Sequence, residues 1–259
     1  MKMKIIVIFV GMLLIVTALS ATGAINVHTS VYVRENNDLD PYQSNPTKSP
    51  DIITIKIEAQ VTDVQDPNNL LEGKIQVNDS ITGKYNYDSG TPDSEPDPTI
   101  GVYNYNSSTF GIELEVGGFV FKTNSSDVDF TITIANNFSY NWDLYTVESN
   151  NNSQLSNGLL VNSIAWGLID TTGNALSSDA LPTTAPVLSD WEENILFIYG
   201  SSPSNPYEIY LISGNITKVT LLSKGKSRDV SFTTHPILIW LFERFPNLIP
   251  ILKHILTFQ

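Results

Sequence analysis

The sequence predicts an all-β protein, a sandwich-like or jelly-roll-like domain of about ten antiparallel strands. Apolar and polar residues alternate with period two in several short stretches, and the clearest covers residues 53–61. Turn residues recur roughly every ten positions, without the strand–helix–strand rhythm of a parallel sheet. Hydrophobic residues make up 41% of the chain and charged residues only 16%, which indicates a globular domain with a polar, uncharged surface.

The first 24 residues have the order of a secretory signal peptide. Two lysines precede the apolar run at residues 5–19, and small residues follow it. Cleavage is expected after Ser20 or Ala24. The apolar run is short for a membrane span, so an uncleaved anchor is the less favoured alternative. We therefore expect export to the cell surface or the extracellular space.

The β-sandwich domain is predicted over residues 25–222, with a proline-rich loop at residues 36–50. A hairpin is predicted where Gly117-Gly118 joins two alternating runs, because paired glycines suit the positive-φ turns of hairpins. A loop is predicted over residues 176–190. Further strands are predicted at residues 31–33, 74–77, 81–87, 110–116, 119–122, 128–135, 142–147, 164–169, 195–199, 207–212 and 216–222.

A Pro/Gly/Asp-rich insert separates two strand ends in which tyrosines alternate, at residues 85–87 and 103–105. It holds the densest carboxylate group in the chain. Calcium takes about six to eight oxygen ligands on flexible loops, so the insert predicts a calcium-stabilised loop. The alternative is a solvated acidic turn, in which Asp and Pro are ordinary residues. The predicted ligands are Asp88, Asp93, Glu95 and Asp97.

Net charge and cysteine content exclude several functions. The chain carries a formal charge of −13 and would repel phosphate backbones, so no nucleic-acid partner is expected. It has no cysteine, which excludes disulfides, thiolate catalysis and cysteine-bound zinc. The histidines lie near the two ends of the chain, without the spacing of a zinc motif. They are His28, His235 and His254.

The catalytic motifs of common hydrolases and nucleotide-binding enzymes do not occur in the sequence. Glu192 and Glu193, beside Trp191, suggest a glycosidase pair. Neighbouring residues on a strand point to opposite faces, however, so a second acid such as Asp143 or Asp190 would be needed. A non-catalytic protein is therefore favoured over a secreted hydrolase.

Aromatic residues suggest a carbohydrate-binding module as the main alternative function. Trp142, Trp166 and Trp191 could stack on sugar rings, as in modules built on calcium-bearing sandwiches. Trp166 lies in an apolar run and is expected in the core. Trp142 and Trp191 are thus the candidates for a polysaccharide contact.

Asn-x-Ser/Thr sequons occur six times, mostly at predicted turns, where a glycan would leave the core undisturbed. Glycosylation is expected only in a host that has the machinery. The asparagines are Asn78, Asn106, Asn124, Asn137, Asn151 and Asn215.

The C-terminal residues 235–259 follow a basic linker at residues 223–234 and carry a helical apolar stripe broken by three prolines. The stripe covers more than one face, and Glu243 and Arg244 lie midway along it. These features suit an amphipathic docking or interfacial tail better than a membrane span. Packing on its own domain, a membrane surface, a cell-envelope partner and a sorting role all remain open.

Much of the chain, from Val61 to about Ile198, resembles a group of exported proteins of bacteria and some archaea. Many members carry a short C-terminal sorting signal of the Pro-Glu-Pro (PEP-CTERM) type. The resemblance lies in VTDVQDPNNLLEGKIQVNDSITGKYNYDSGTPDSEPDPTIGVYNY, FGIELEVGGFVFKTNSSDVDF and LSSDALPTTAPVLSDW. It implies export, an all-β domain and a surface or extracellular setting, and it implies no activity. The C-terminus lacks the Pro-Glu-Pro motif, so the sorting signal itself is not matched.

Overall fold

A computed structural model of the protein describes residues 51–226 and arranges them as one sheet of ten strands. A four-residue turn (Phe138–Asn141), in which the last three residues have positive φ, joins β6 to β7, and a 3-10 turn (Leu188–Asp190) precedes β9. Within the described residues, no helix has the length and apolar character needed to cross a membrane. The strands are β1 (Asp51–Gln65), β2 (Ser80–Asp88), β3 (Ile100–Tyr105), β4 (Gly111–Val116), β5 (Phe119–Lys122), β6 (Phe130–Asn137), β7 (Trp142–Ser149), β8 (Leu160–Asp170), β9 (Glu193–Ser201) and β10 (Ile209–Lys226).

The strand order is β3-β6-β7-β8-β9-β10-β1-β2-β4-β5, and all neighbouring strands are antiparallel. β10 and β1 pair in the middle of the sheet, where Asp51 lies opposite Lys226. The lysines of the described strands all lie on β10, β1, β2 and β5. We therefore call β10, β1, β2, β4 and β5 the lysine half, and β3, β6, β7, β8 and β9 the acidic half.

The sheet curls, so that the inner faces of its two halves meet across one hydrophobic core. Tyr85 on β2 and Tyr145 on β7 are far apart in the strand order, yet their hydroxyl oxygens are 2.8 Å apart and hydrogen-bonded. Trp166 on β8 packs against both rings, with centroid distances of 5.5 Å and 5.3 Å. Contacts between such distant strands require the sheet to fold over itself.

Polar contacts join the two halves at one end of the core. The hydroxyl of Thr123, which follows β5, lies 2.8 Å from the hydroxyl of Ser149 on β7. The hydroxyl of Tyr105 on β3 donates to the backbone carbonyl of Asp88 on β2. Both contacts cross from the acidic half to the lysine half, so hydrogen bonds as well as apolar packing hold the curl.

The prediction of an all-β fold with about ten antiparallel strands is confirmed. The strands form one continuous sheet whose halves face each other, which gives a sandwich-like arrangement without two separate sheets. The inward alternation predicted for residues 53–61 is confirmed, because every second side chain from Ile53 is buried. The hairpin at Gly117-Gly118 joins β4 to β5 as predicted, with both glycines at positive φ.

The strand predicted at residues 74–77 is wrong, because these residues lie among turns. Local acceptors take the N–H groups of this stretch and of the turn before it, and the Leu71 carbonyl accepts that of Lys74 at 3.0 Å. Asp66 accepts the N–H groups of Leu70 and Leu71, and Asp79 accepts that of Gln76 at 2.7 Å.

The last two predicted strands, at residues 207–212 and 216–222, are parts of β10. β10 continues to Lys226, beyond the predicted strand end at residue 222. Its pairing with β1 shifts register at three points, and such bulges bend a long strand without ending it. The predicted signal peptide, the strand at residues 31–33 and the C-terminal tail lie outside the described residues.

Candidate functional site

The acidic insert follows β2 and crosses from the lysine half to β3, at the edge of the acidic half. There it runs beside the outer edge of β3. The N–H of Ser94 donates to the carbonyl of Val102, and the N–H of Val102 donates to the Asp93 carboxylate at 2.8 Å. An uncovered strand edge invites pairing with another chain. The insert therefore covers part of the β3 edge.

The four acids predicted as calcium ligands accept hydrogen bonds in separate turns. Asp88 accepts the N–H groups of Asp51 and Gly90, both at 2.9 Å. Hydrogen bonds from the backbone and then the side chain of Thr99 hold the pKa of Asp97 below its ordinary value. The remaining two carboxylates also accept backbone N–H groups of the insert, and they belong to Asp93 and Glu95.

This hydrogen bonding bears on the calcium prediction. Calcium needs several oxygens that converge on one point. In the described part of the chain, no three acidic or histidine side chains come together in a way that could hold a metal ion. Calcium binding by the insert therefore stays a prediction.

The acids considered for hydrolysis lie near one end of the acidic half. Asp143 is fully buried and accepts the N–H groups of Asn137 and Leu176 at 2.8 Å and 2.7 Å. Glu192 accepts hydrogen bonds from the N–H and the hydroxyl of Thr171. These two carboxylates therefore hold loops in place. The others are Asp190, exposed in the 3-10 turn, and Glu193, half-buried at the start of β9.

Sequence reasoning misses Asp170, which is buried and accepts four hydrogen bonds. Its carboxylate binds the N–H and hydroxyl of Thr172 and the N–H groups of Asn174 and Ala175, at 2.7–3.0 Å. Burial opposes ionisation, but these hydrogen bonds outweigh it and lower the pKa of Asp170 to about 2. The Asp-Thr-Thr-Gly-Asn stretch is typical of a side-chain-capped turn and could have indicated this role.

The tryptophans proposed for sugar stacking differ in exposure. Trp166 is fully buried, as expected, and Trp191 is 9% exposed and belongs to the same core. Trp191 therefore offers no open ring face to a sugar. Trp142 is half-buried at the start of β7, and nearby Tyr140 is 90% exposed at the β6–β7 turn. Trp142 remains the one of these candidates with an accessible edge.

A row of charged side chains crosses the outer face of the lysine half. Cross-strand pairing places Lys56 opposite Lys84, Lys84 opposite Glu113, and Glu113 opposite Lys122. The Lys56 ammonium also pairs with Glu58 at 2.8 Å. Only the Lys56–Lys84 pair joins like charges, which is unfavourable, whereas Glu113 lies between two lysines, which is favourable. The row is therefore a polar, partly balanced surface with an excess of lysine.

Two shallow grooves of about 280 Å³ each lie along this row. The second includes the half-buried ring of Phe110 and the side chain of Asn86. The Asn86 Oδ1 atom is buried and has no hydrogen-bond partner among the described residues. Buried acceptors are normally paired, so a ligand donor would satisfy this oxygen. Other lining residues with polar side chains are Lys84, Ser108, Thr109, Glu113, Lys122, Thr123 and Ser125.

No family model, curated protein or solved structure matches this chain. The functional conclusion therefore depends on the residues and their geometry.

Proposed function

We propose that this protein is a non-catalytic, exported β-domain of the cell surface or the extracellular medium. The observation that carries the proposal is the use of its carboxylates as structural ties. Asp66, Asp93, Asp143 and Asp170 each accept backbone N–H groups that fix a loop or a strand edge. Acids committed in this way stabilise an exposed scaffold and are not free to serve as acids or bases.

Export is supported by the N-terminal sequence and by the composition of the chain. A domain without cysteine depends on core packing, and here the core extends through both halves of the sheet. The six sequons lie at exposed or half-buried positions of the described residues, where a glycan has room. Glycosylation remains a prediction.

The direct test follows the full chain in an expressing cell. We expect the protein in the medium or on the surface, where protease added to intact cells digests it. A variant with Leu13→Arg and Leu14→Arg interrupts the apolar run and should remain inside, because a signal segment must be apolar. The matched control carries Leu13→Val and Leu14→Val. Retention of the unmodified chain in the cytoplasm would overturn the proposal.

A carbohydrate-binding module is the second candidate, and the groove beside Asn86 now favours it. Sugar hydroxyls could donate to the Asn86 oxygen, and the Phe110 ring offers an apolar edge. Retention on polysaccharide columns that is lost in Asn86→Ala and kept in Trp142→Ala would place the site in the groove. The reverse would place it at the β6–β7 turn. Absence of retention by the folded protein would remove this candidate.

Attachment through residues 235–259 also remains a prediction, because these residues lie outside the described part of the chain. Liposome flotation with and without residues 230–259 measures it. Equal flotation of the two forms would exclude attachment to a lipid surface.

A further inference from the structure

The acidic half has a second apolar face, on the outside of the sheet. β8 is buried on both faces: Ile164, Trp166 and Leu168 enter the core, while Ala165 and Ile169 point outward and are also buried. A strand buried on both sides has packing partners on both sides. Something therefore covers the outer face of β6–β9.

Cross-strand pairing shows how far this face extends. One row joins Ala135, Leu144 and Ile169 across β6, β7 and β8, and a second joins Ala165 to Phe197 on β9. These five side chains are buried but stand outside the core cluster. We call them the outer apolar face. Phe197 gives the clearest evidence that this face is covered. Its ring lies between Ala165 and Ser213 and would be well exposed on an uncovered sheet, yet it is 7% exposed.

The described loops do not account for this cover. Most apolar residues of the loops before β8 and before β9 pack in the inner core instead, and Ala180 and Val187 are exposed. Among the described strands, the most extensive contacts join neighbours in the sheet. The loop residues in the inner core are Leu155, Leu159, Leu176, Leu181, Ala185, Leu188 and Trp191.

We infer that the outer apolar face is the docking site of the chain's own C-terminal segment, residues 235–259. Fourteen of these 25 residues are large and apolar, whereas residues 25–50 hold few apolar residues among polar residues and prolines. Residues 235–259 therefore hold enough apolar surface to bury this face, whereas residues 25–50 hold much less.

Charge favours the same occupant. From Thr123 to Thr217 the chain has ten acidic residues and no lysine, arginine or histidine. Glu148, half-buried opposite Ala165, lies on the docking side, and its burial raises its pKa. The C-terminal segment brings Arg244 and Lys253 with one acid, Glu243, so docking would give this half cations that its own strands lack.

The chain is long enough to make the contact. β10 ends at Lys226, and Ser213, the β10 residue opposite Phe197, lies 13 residues earlier, roughly 43 Å along an extended strand. Residues 227–234 can span about 28 Å, and 25 further residues add about 37 Å even at the short rise per residue of a helix. The C-terminal segment therefore reaches the middle of the outer apolar face.

The absence of cysteine from the natural chain permits a clean test with single thiols. Ser213→Cys places a thiol on the outer side of β10, next to Phe197, at a position that is 7% exposed. In a chain of residues 25–259, we expect this thiol to be alkylated at least about tenfold more slowly than in the same chain with Leu241→Asp and Phe245→Asp. The reason is that the docked segment must detach before the reagent reaches the thiol. A chain ending at residue 226 should react as fast as the double variant.

A control thiol and three outcomes keep the inference open to disproof. Thr82→Cys, exposed on the lysine half, should react at one rate in every form. Equal rates for the Ser213→Cys thiol with and without the tail substitutions would overturn the inference. An alkylation rate that falls as the protein concentration rises would also overturn it, because a second copy of the chain would then cover the face. So would a rate that rises only when residues 25–50 are removed, because that stretch would then be the cover. A docked tail also predicts weak liposome flotation, whereas export is unaffected by either result.

Discussion

Asp143 and Asp170 lie directly opposite each other on β7 and β8, and both side chains are buried. Two carboxylates in this position would repel each other if they were ionised without partners. Each is instead surrounded by N–H or hydroxyl donors from the chain. Asp143 ties the β6–β7 turn to the loop at Leu176, and Asp170 folds the start of that loop around itself. The pair thus organises one end of the acidic half.

Replacement of Asp170 by Asn should destabilise the domain by about 3 kcal/mol, because a buried amide nitrogen would face N–H donors that need an acceptor. Urea unfolding measures the change. Asp129→Asn, at an exposed position, is the matched control and should change stability by less than about 0.5 kcal/mol. Similar stability of the two variants would contradict the anchoring role of Asp170.

The same carboxylate gives stability a defined dependence on pH. The pKa of Asp170 is about 2 in the folded protein and near its ordinary value of about 4 in the unfolded chain. The unfolded chain therefore binds the proton more readily, and the stabilisation that is present above pH 4 is lost as the pH falls towards 2. Unfolding measured from pH 6 to pH 2 should show the difference between the natural chain and Asp170→Asn shrinking over that interval. A constant difference would contradict it.

The sequence predicts local structure well where a single stretch determines it. The alternation of residues 53–61 and the Gly117-Gly118 hairpin depend on neighbouring residues, and both are found. The stretch at residues 74–77 has a strand-like composition, but Asp79 and the Leu71 carbonyl accept N–H groups that a strand would give to its neighbour. The pattern of apolar and polar residues within this stretch does not reveal those hydrogen bonds.

Long-range pairing is less accessible to sequence reasoning. β3 follows β2 in the chain, but it pairs with β6 at the opposite edge of the sheet, and no local pattern indicates that pairing. The four acids of the insert are likewise close in sequence, but whether they share an ion depends on how the insert folds, and their carboxylates accept hydrogen bonds in separate turns. Tyrosines that alternate on a strand could equally face solvent or a core, and only the curl of the sheet buries Tyr85 beside Tyr145.

The buried hydroxyl pair of Tyr85 and Tyr145 should behave as a coupled unit. Tyr85→Phe or Tyr145→Phe leaves one buried hydroxyl without its partner and should cost about 1–2 kcal/mol. The double variant removes both groups and should cost less than the sum of the two single changes. A double-mutant cycle by urea unfolding measures the coupling, and strict additivity would contradict the hydrogen bond.

The same pair makes a spectroscopic prediction. Burial is the main cause that raises the pKa of each tyrosine well above its ordinary value, and the neighbouring rings add to the effect. Neither phenol should ionise before the protein unfolds in alkali. Absorbance titration should therefore show the natural chain and the double Phe variant releasing the same number of protons below the unfolding transition. An additional early proton in the natural chain would show that the pair is accessible to water.

Asp93 should protect the edge of β3 whether or not calcium is present. Asp93→Ala removes the acceptor of the Val102 N–H and should lower stability by about 1 kcal/mol and increase light scattering on heating. Glu95→Ala is the control in the same insert, since its carboxylate makes only a 3.4 Å hydrogen bond. Equal behaviour of the two variants would contradict the edge-covering role.

Thermal unfolding in EDTA and then in millimolar calcium distinguishes calcium binding by the insert from the edge-covering role of Asp93. Asp93 and Asp97 accept backbone N–H groups without the help of an ion. The loss of stability in Asp93→Ala, and that in Asp97→Ala, should therefore persist in EDTA. A rise in Tm with calcium that disappears in Asp93→Ala/Asp97→Ala would confirm the ion predicted from the sequence, because a ligand of the folded state stabilises it. An unchanged Tm would leave the four acids as caps of their turns, with the insert acting through its cover of β3.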